Sequence, residues 1–361
     1  MAAPRLQVLV LFAALAVAGC SSQYSKTFSE PLKLAGGKTV DVKTLNQGHD
    51  AYMLYCYGCH GEKGDGRGPA ADGMRPPPRN FTQGLFKFAG TGAGQLPTDE
   101  ALDRVIRRGL HGTPMLPWDI PAQERAAIIG FLKTFSPRWK EDEPGAPLEI
   151  SPDPWKGREA EAIAKGRAVY HVAGAGHAGC NSCHASYATR QEISDISKAV
   201  TGEPITEFSD EMYRTSLRET EYPLEQDAKG ETTKVVQQLP PDFLFHKVKT
   251  AYPRGTRVDG QPYTAERQRE DLYRAIAAGI GGAAMPQWKD ALPEENLWAL
   301  VYYVQSLVEM RGTDAAMALR GRLESQPKWT PPPAPQAPPP APPGKKRASG
   351  KAAAPKAGGG R

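Results

Sequence analysis

Two short strings carry the chemistry of this chain: Cys56-Tyr57-Gly58-Cys59-His60 and Cys180-Asn181-Ser182-Cys183-His184. Two thiols separated by two residues and followed at once by an imidazole read as a c-type haem attachment site. Cysteines three apart on one turn form thioethers to the two vinyl groups, and the adjacent His lies under the iron as proximal ligand. Two other chemistries use such pairs. A zinc site wants four ligands closing on one another, whereas here the pairs are separate and each has its own His. A thioredoxin-like redox pair sits in a strand–helix context, which neither unit has.

A sixth ligand decides whether the iron carries electrons or does chemistry. Met115 lies in Gly112-Thr113-Pro114-Met115-Leu116-Pro117-Trp118, and Met285 in Gly281-Gly282-Ala283-Ala284-Met285-Pro286-Gln287-Trp288. Gly and Pro deny both stretches a continuous helix and leave loops that push a thioether inward. The alternative is that these methionines fill gaps in a core. Met53 and Met74 compete in the first unit, on the motif's own helix and in the loop after it. Met212, His171, His177 and His246 compete in the second, while His49 and His111 sit less favourably.

The elements that position these residues repeat. Leu102-x-Arg104-x-Ile106-x-x-Gly109 runs on to Met115 and Trp118, and Leu272-x-Arg274-x-Ile276-x-x-Gly279 runs on to Met285 and Trp288. Helices then start near Pro121 and Pro293, a favoured first-turn residue. They carry matching apolar stripes, Ile128, Ile129, Leu132 and Phe135 against Leu300, Val301, Val304 and Leu307. Upstream, Gly48 and Tyr52 match Gly166 and Tyr170 on the helix leading into each motif. Pro77-Pro78 and Pro240-Pro241 each precede a Phe by at most three residues. The expectation is an all-α protein of short helices joined by Gly/Pro loops.

At this point the chain resembles a tandem pair of class I cytochrome c domains. The resemblance implies two small helical domains, two covalently attached haem c groups, and His60 with Met115 and His184 with Met285 as axial pairs. Gly61, Gly64, Gly66, Gly68 and Pro69 look like the family's loop after the motif, whose Pro carbonyl accepts a hydrogen bond from the proximal His. The second unit departs from the pattern. Ala185-Ser186-Tyr187 replaces the Gly-rich loop, and 46 more residues separate Cys183 from Met285 than Cys59 from Met115. This acidic insertion, about 186–238, has net charge −5. It reads as a solvated surface segment or as a docking surface.

The remaining boundaries follow from composition. Residues 1–19 read as a signal peptide with Arg5 and an apolar stretch too short to span a bilayer comfortably. Val17-Ala18-Gly19-Cys20 resembles the lipobox of bacterial lipoproteins, making Cys20 the lipidated residue; an ordinary secretory signal is the alternative. Ser21 in place of Asp points to the outer membrane. Residues 20–43 read as a tether, 44–137 as the first domain, 138–157 as a linker and 158–312 as the second domain. A short helix follows at 313–325, then a disordered Pro/Ala/Lys-rich tail at 326–361. From Lys328 onward the chain holds seven basic residues and no acid. The whole-chain charge of +5 therefore describes a tail, and a nucleic-acid-binding body is excluded.

His/Met ligation on both irons leaves no open coordination position. The expected role is a periplasm-facing, lipid-anchored electron-transfer protein of the bacterial envelope rather than a stand-alone enzyme. Its partners would be a quinol-oxidising complex or dehydrogenase on one side and an oxidase, reductase or small cytochrome on the other. The rival readings are a fixed cytochrome subunit of a respiratory complex and, further off, a peroxidase-like or thiosulfate-oxidising dihaem enzyme.

Overall fold

The computed structural model describes residues 27–174, 176–208, 222–226, 232–236 and 240–330. The expected signal peptide and Cys20, Met212 and most of the tail lie outside them. In the N-terminal region, β1 (Leu32–Lys33) pairs antiparallel with β2 (Thr39–Val40). There α1 (Val42–Tyr55) starts where the Asp41 carboxylate accepts the Thr44 amide at 2.9 Å, an N-cap that satisfies one of the free donors of the first turn. The single turn α2 (Tyr57–His60) carries the first motif. Next, α3 (Asp99–Arg108) is capped by Thr98 and ends at Gly109, and α4 (Ala122–Leu132) and the single turn α5 (Arg138–Glu141) follow.

The C-terminal region repeats this order with additions. After α6 (Glu159–His171), β3 (Ala173–Gly174) and β4 (His177–Ala178) form a small ribbon leading to a 3-10 turn at Cys180–Ser182. Then come α7 (Arg190–Thr201), a hairpin of β5 (Tyr222–Gln226) and β6 (Thr232–Val236), and a ribbon of β7 (Arg257–Val258) and β8 (Gln261–Pro262). Finally α8 (Ala265–Ala278), α9 (Glu294–Met310) and α10 (Asp314–Glu324) close the region. The described residues are thus helix-rich, with strands only in two-stranded ribbons. No described helix is long and apolar enough to cross a membrane.

Each region is organised on one helix crossing, α1 over α4 and α6 over α9. A Cβ on Gly48 would lie 2.1 Å from the Ala127 carbonyl oxygen, and one on Gly166 would lie 2.0 Å from that of Ala299. Only glycine lets the backbones approach so closely. One turn on, Tyr52 packs against Phe131 and Tyr170 against Tyr303. Around each crossing lies a separate apolar cluster, with Ile128 and Leu132 in one and Leu300, Val301 and Val304 in the other.

Three segments expected to be open are packed over their described residues. Residues 27–43 are no tether: Phe28 sits edge-on to Phe131, and its backbone is bonded to the Asn46 side chain in both directions. The linker buries Trp139 in the first cluster and Trp155 in the second, because its two large aromatics outweigh its charges. The insertion contains α7, which opens with a Thr189/Glu192 capping box and buries Ile193. Residues up to 330 dock on it, Arg190 donating to the Pro327 carbonyl and Trp329 to that of Thr206.

A polar seam joins the regions. Arg108 at the end of α3 is held between Asp259 and Asp271. The Tyr252 hydroxyl donates to the Arg108 and Gly109 carbonyls at 2.7 and 2.8 Å.

Candidate haem sites

The histidines of the two motifs are set alike. His60 Nδ1 lies 3.1 Å from the Arg79 carbonyl oxygen, and His184 Nδ1 lies 3.1 Å from that of Pro241. A carbonyl only accepts, so each ring carries its proton on Nδ1 and leaves a lone pair on Nε2. Burial lowers both imidazoles below their ordinary range, His60 to about 4, with the hydrogen bond opposing the effect in part. Both rings are therefore neutral near pH 7, as an iron ligand must be. Phe81 stacks on His60 at 4.5 Å and Phe243 on His184 at 5.1 Å. The hydroxyl of Tyr52 donates to the Gly61 carbonyl and that of Tyr170 to the Ala185 carbonyl, in each case the residue after the His.

The acceptor for His60 corrects one expectation, since it is Arg79 rather than Pro69. The Gly-rich loop instead folds back on the motif, with Gly66 bonded to the His60 carbonyl and Gly68 to that of Cys59. The chain then returns past Pro77 and Pro78 to present Arg79 and Phe81. The Pro pair followed by Phe was the visible signal for this segment, although nothing in it marked which carbonyl accepts.

Burial pushes the Cys56 and Cys180 thiols up to about 12, with the neighbouring cysteine adding to it at each site. Such thiols stay protonated, unlike the low-pKa thiolate of a redox-active pair. Among the described residues, no three of His, Cys, Asp and Glu converge on a metal-sized point.

In the N-terminal region Cys56, Cys59, His60 and Met115 line one largely apolar cavity. Its donor set fits haem c: two thiols on one wall, a lone-pair imidazole, and a thioether. Met74, the competing thioether in the loop after the motif, lines it too. Turns at Ala71 and Met74 reverse the chain and bring that side chain back. Met53 packs on the core instead.

In the C-terminal region Cys180, Met285 and Trp288 pack against the same core cluster as Phe243. The Met loops match: Leu110 donates its amide to the Met115 carbonyl and Ile280 to that of Met285. His171 does not compete as a ligand. Its Nδ1 donates to the Arg167 carbonyl and its Nε2 accepts the Tyr187 amide. His246 Nδ1 accepts the Asp242 amide, His177 lies in β4, and His111 stands against Tyr252.

Comparison with known proteins agrees with this geometry. Residues 45–136 match the cytochrome c family, so this part of the chain is similar to domains that hold haem c covalently and transfer electrons. A solved structure, the reducing HAO-like protein complex Kustc0457/Kustc0458 of Kuenenia stuttgartiensis, contains a chain similar to this one. The likeness has a TM-score of 0.51 at 28% identity, over 73% of this chain and 96% of that chain. No curated protein matches the sequence.

Proposed function

We propose that the chain is a dihaem electron-transfer protein of the bacterial envelope, with one haem c at each Cys-x-x-Cys-His unit. Haem iron, when bound, takes up and releases one electron. The residues of this chain do the rest. Cys56 and Cys59, and Cys180 and Cys183, provide the thioether links. His60 and His184 offer Nε2 to the iron, with Arg79 and Pro241 holding each ring in the required tautomer. Met115 and Met285 would offer a sulfur ligand, which favours the reduced state relative to His alone.

The observation that carries this reading is the duplication of the proximal arrangement: the same hydrogen bond, the same stacked Phe and the same Tyr-to-carbonyl bond at both motifs. The structural likeness over 73% of the chain supports it, because that share exceeds what the cytochrome c match alone spans. The test is to measure haem against protein in the purified chain and to titrate it redox-wise. Two covalent haems per chain, both low-spin with a sulfur-to-iron charge-transfer band when oxidised, are expected. One haem per chain would sink the two-site reading.

A second reading is a fixed subunit of a larger redox assembly, favoured because the similar solved chain belongs to a protein complex. Copurification of a stable partner after mild detergent extraction separates it from a free carrier. Membrane attachment through Cys20 belongs to both readings, and Cys20→Ser should release the protein to the soluble fraction with its haems intact.

A further inference from the structure

The cavity of the cytochrome c domain is not closed by that domain alone. Among its lining residues are three cations, Arg79, Lys87 and Lys249, and its described lining contains no Asp or Glu. Lys249 comes from the C-terminal region, more than a hundred residues beyond the domain's end. Burial lowers Lys87 to about 7, with Lys249 and Arg79 adding to the effect, and burial likewise lowers Lys249, with Arg79 adding to it.

The segment that delivers Lys249 is built into the Met115 loop. The His111 amide donates to the Lys249 carbonyl at 2.9 Å. Three residues on, Tyr252 bonds the Gly109 carbonyl. A Cβ on Gly112 would lie 2.6 Å from that of Lys247. The position of the Lys249 backbone is thus tied to the loop that carries the thioether.

We propose that Lys249 of the C-terminal region, with Lys87 and Arg79, seats the carboxylate groups of the haem in the cytochrome c domain and thereby sets its potential. The inference rests on the reading that this cavity holds haem c. That group brings two propionate carboxylates, which the three cations on the cavity wall can hold. The C-terminal region is then part of the first site as well as the carrier of the second. A cation beside a haem disfavours the more positive oxidised state, so its removal lowers the potential.

The test uses full-length protein with both haems attached. Lys249→Gln should lower one of the two midpoint potentials by a tenfold change in the reduction equilibrium, about 59 mV for one electron. The other potential should hold, and Lys249→Arg should stay near the parent. Peptide mass spectrometry of the Cys56–Cys59 segment reports separately whether haem is attached there. Haem present with both potentials unmoved by Lys249→Gln would overturn this proposal alone. Equal shifts for the Gln and Arg variants would also overturn it, since the effect would then be packing rather than charge. Absence of haem from that segment would remove the underlying reading and the proposal with it.

Discussion

The two Cys-x-x-Cys-His units reach the same arrangement by different means. After His60 the chain is held by backbone bonds, which a Gly-rich loop makes possible because glycine accepts the positive φ of Gly61, Gly64 and Gly66. After His184 no such loop exists, and buried side chains take its place. The Tyr187 hydroxyl donates to Asp242 at 3.1 Å and accepts the Phe243 amide at 2.7 Å, while the Tyr187 amide is taken by His171. Asp242 also accepts the Leu244 amide, and its own amide goes to His246. What the two units share is what a ligand imidazole needs: a carbonyl for Nδ1, a ring against its face and a fixed backbone after it. What differs is the scaffold, and a side-chain network tolerates an insertion where a tight backbone loop does not.

The largest effect that would test this equivalence is loss of cofactor. Cys56→Ser with Cys59→Ser, and separately Cys180→Ser with Cys183→Ser, should each remove about half of the covalent haem measured by denaturing haem stain. Retention of all haem in either variant would break the comparison at that unit.

Next come the crossings. Gly48→Ala and Gly166→Ala both force a Cβ into a backbone carbonyl and should each cost about 3 kcal/mol in chemical denaturation, as overpacking does. Unequal costs would show that one crossing yields where the other does not.

The side-chain scaffold adds a pH dependence at the second unit beyond that of the motif histidines, whose pKa values burial lowers at both units. Buried His171 has its pKa lowered to about 4, burial being the main cause; the bond to the Arg167 carbonyl opposes it, the Arg167 charge adds to it and Glu192 opposes it. An imidazole that protonates more readily when unfolded contributes stability above about pH 6.5, and that stability is lost as pH falls toward 4. The full loss is on the order of 3 kcal/mol. Unfolding of the C-terminal region should therefore become easier across that window, and His171→Gln should flatten the profile. An unchanged profile in the variant would assign the dependence elsewhere.

Smaller and more local is the contrast between tyrosines. Tyr187→Phe leaves both the Asp242 carboxylate and the Phe243 amide short of a partner and should cost about 2 kcal/mol, against about 1 kcal/mol for Tyr52→Phe, which loses a single bond to the Gly61 carbonyl. Equal costs would remove the distinction between a side-chain and a backbone scaffold.

The arrangement around the two Cys-x-x-Cys-His units was legible in the linear chain because it rests on short, typed spacings. The motifs, the Gly and Tyr of the incoming helices, the Met loops and the apolar stripes of α4 and α9 all depend on residues whose side chains are distinctive. Even α10, expected at 313–325, spans Asp314–Glu324. The acceptors of the two histidines were not legible. A carbonyl is present at every residue, and Arg79 and Pro241 are selected only by where folding brings them, 19 residues after one His and 57 after the other. The burial of Trp139 and Trp155, the return of Met74 to the cavity and the arrival of Lys249 from the other region have the same cause. Each depends on a partner distant in sequence, and local composition records what a residue is without recording what will be packed against it.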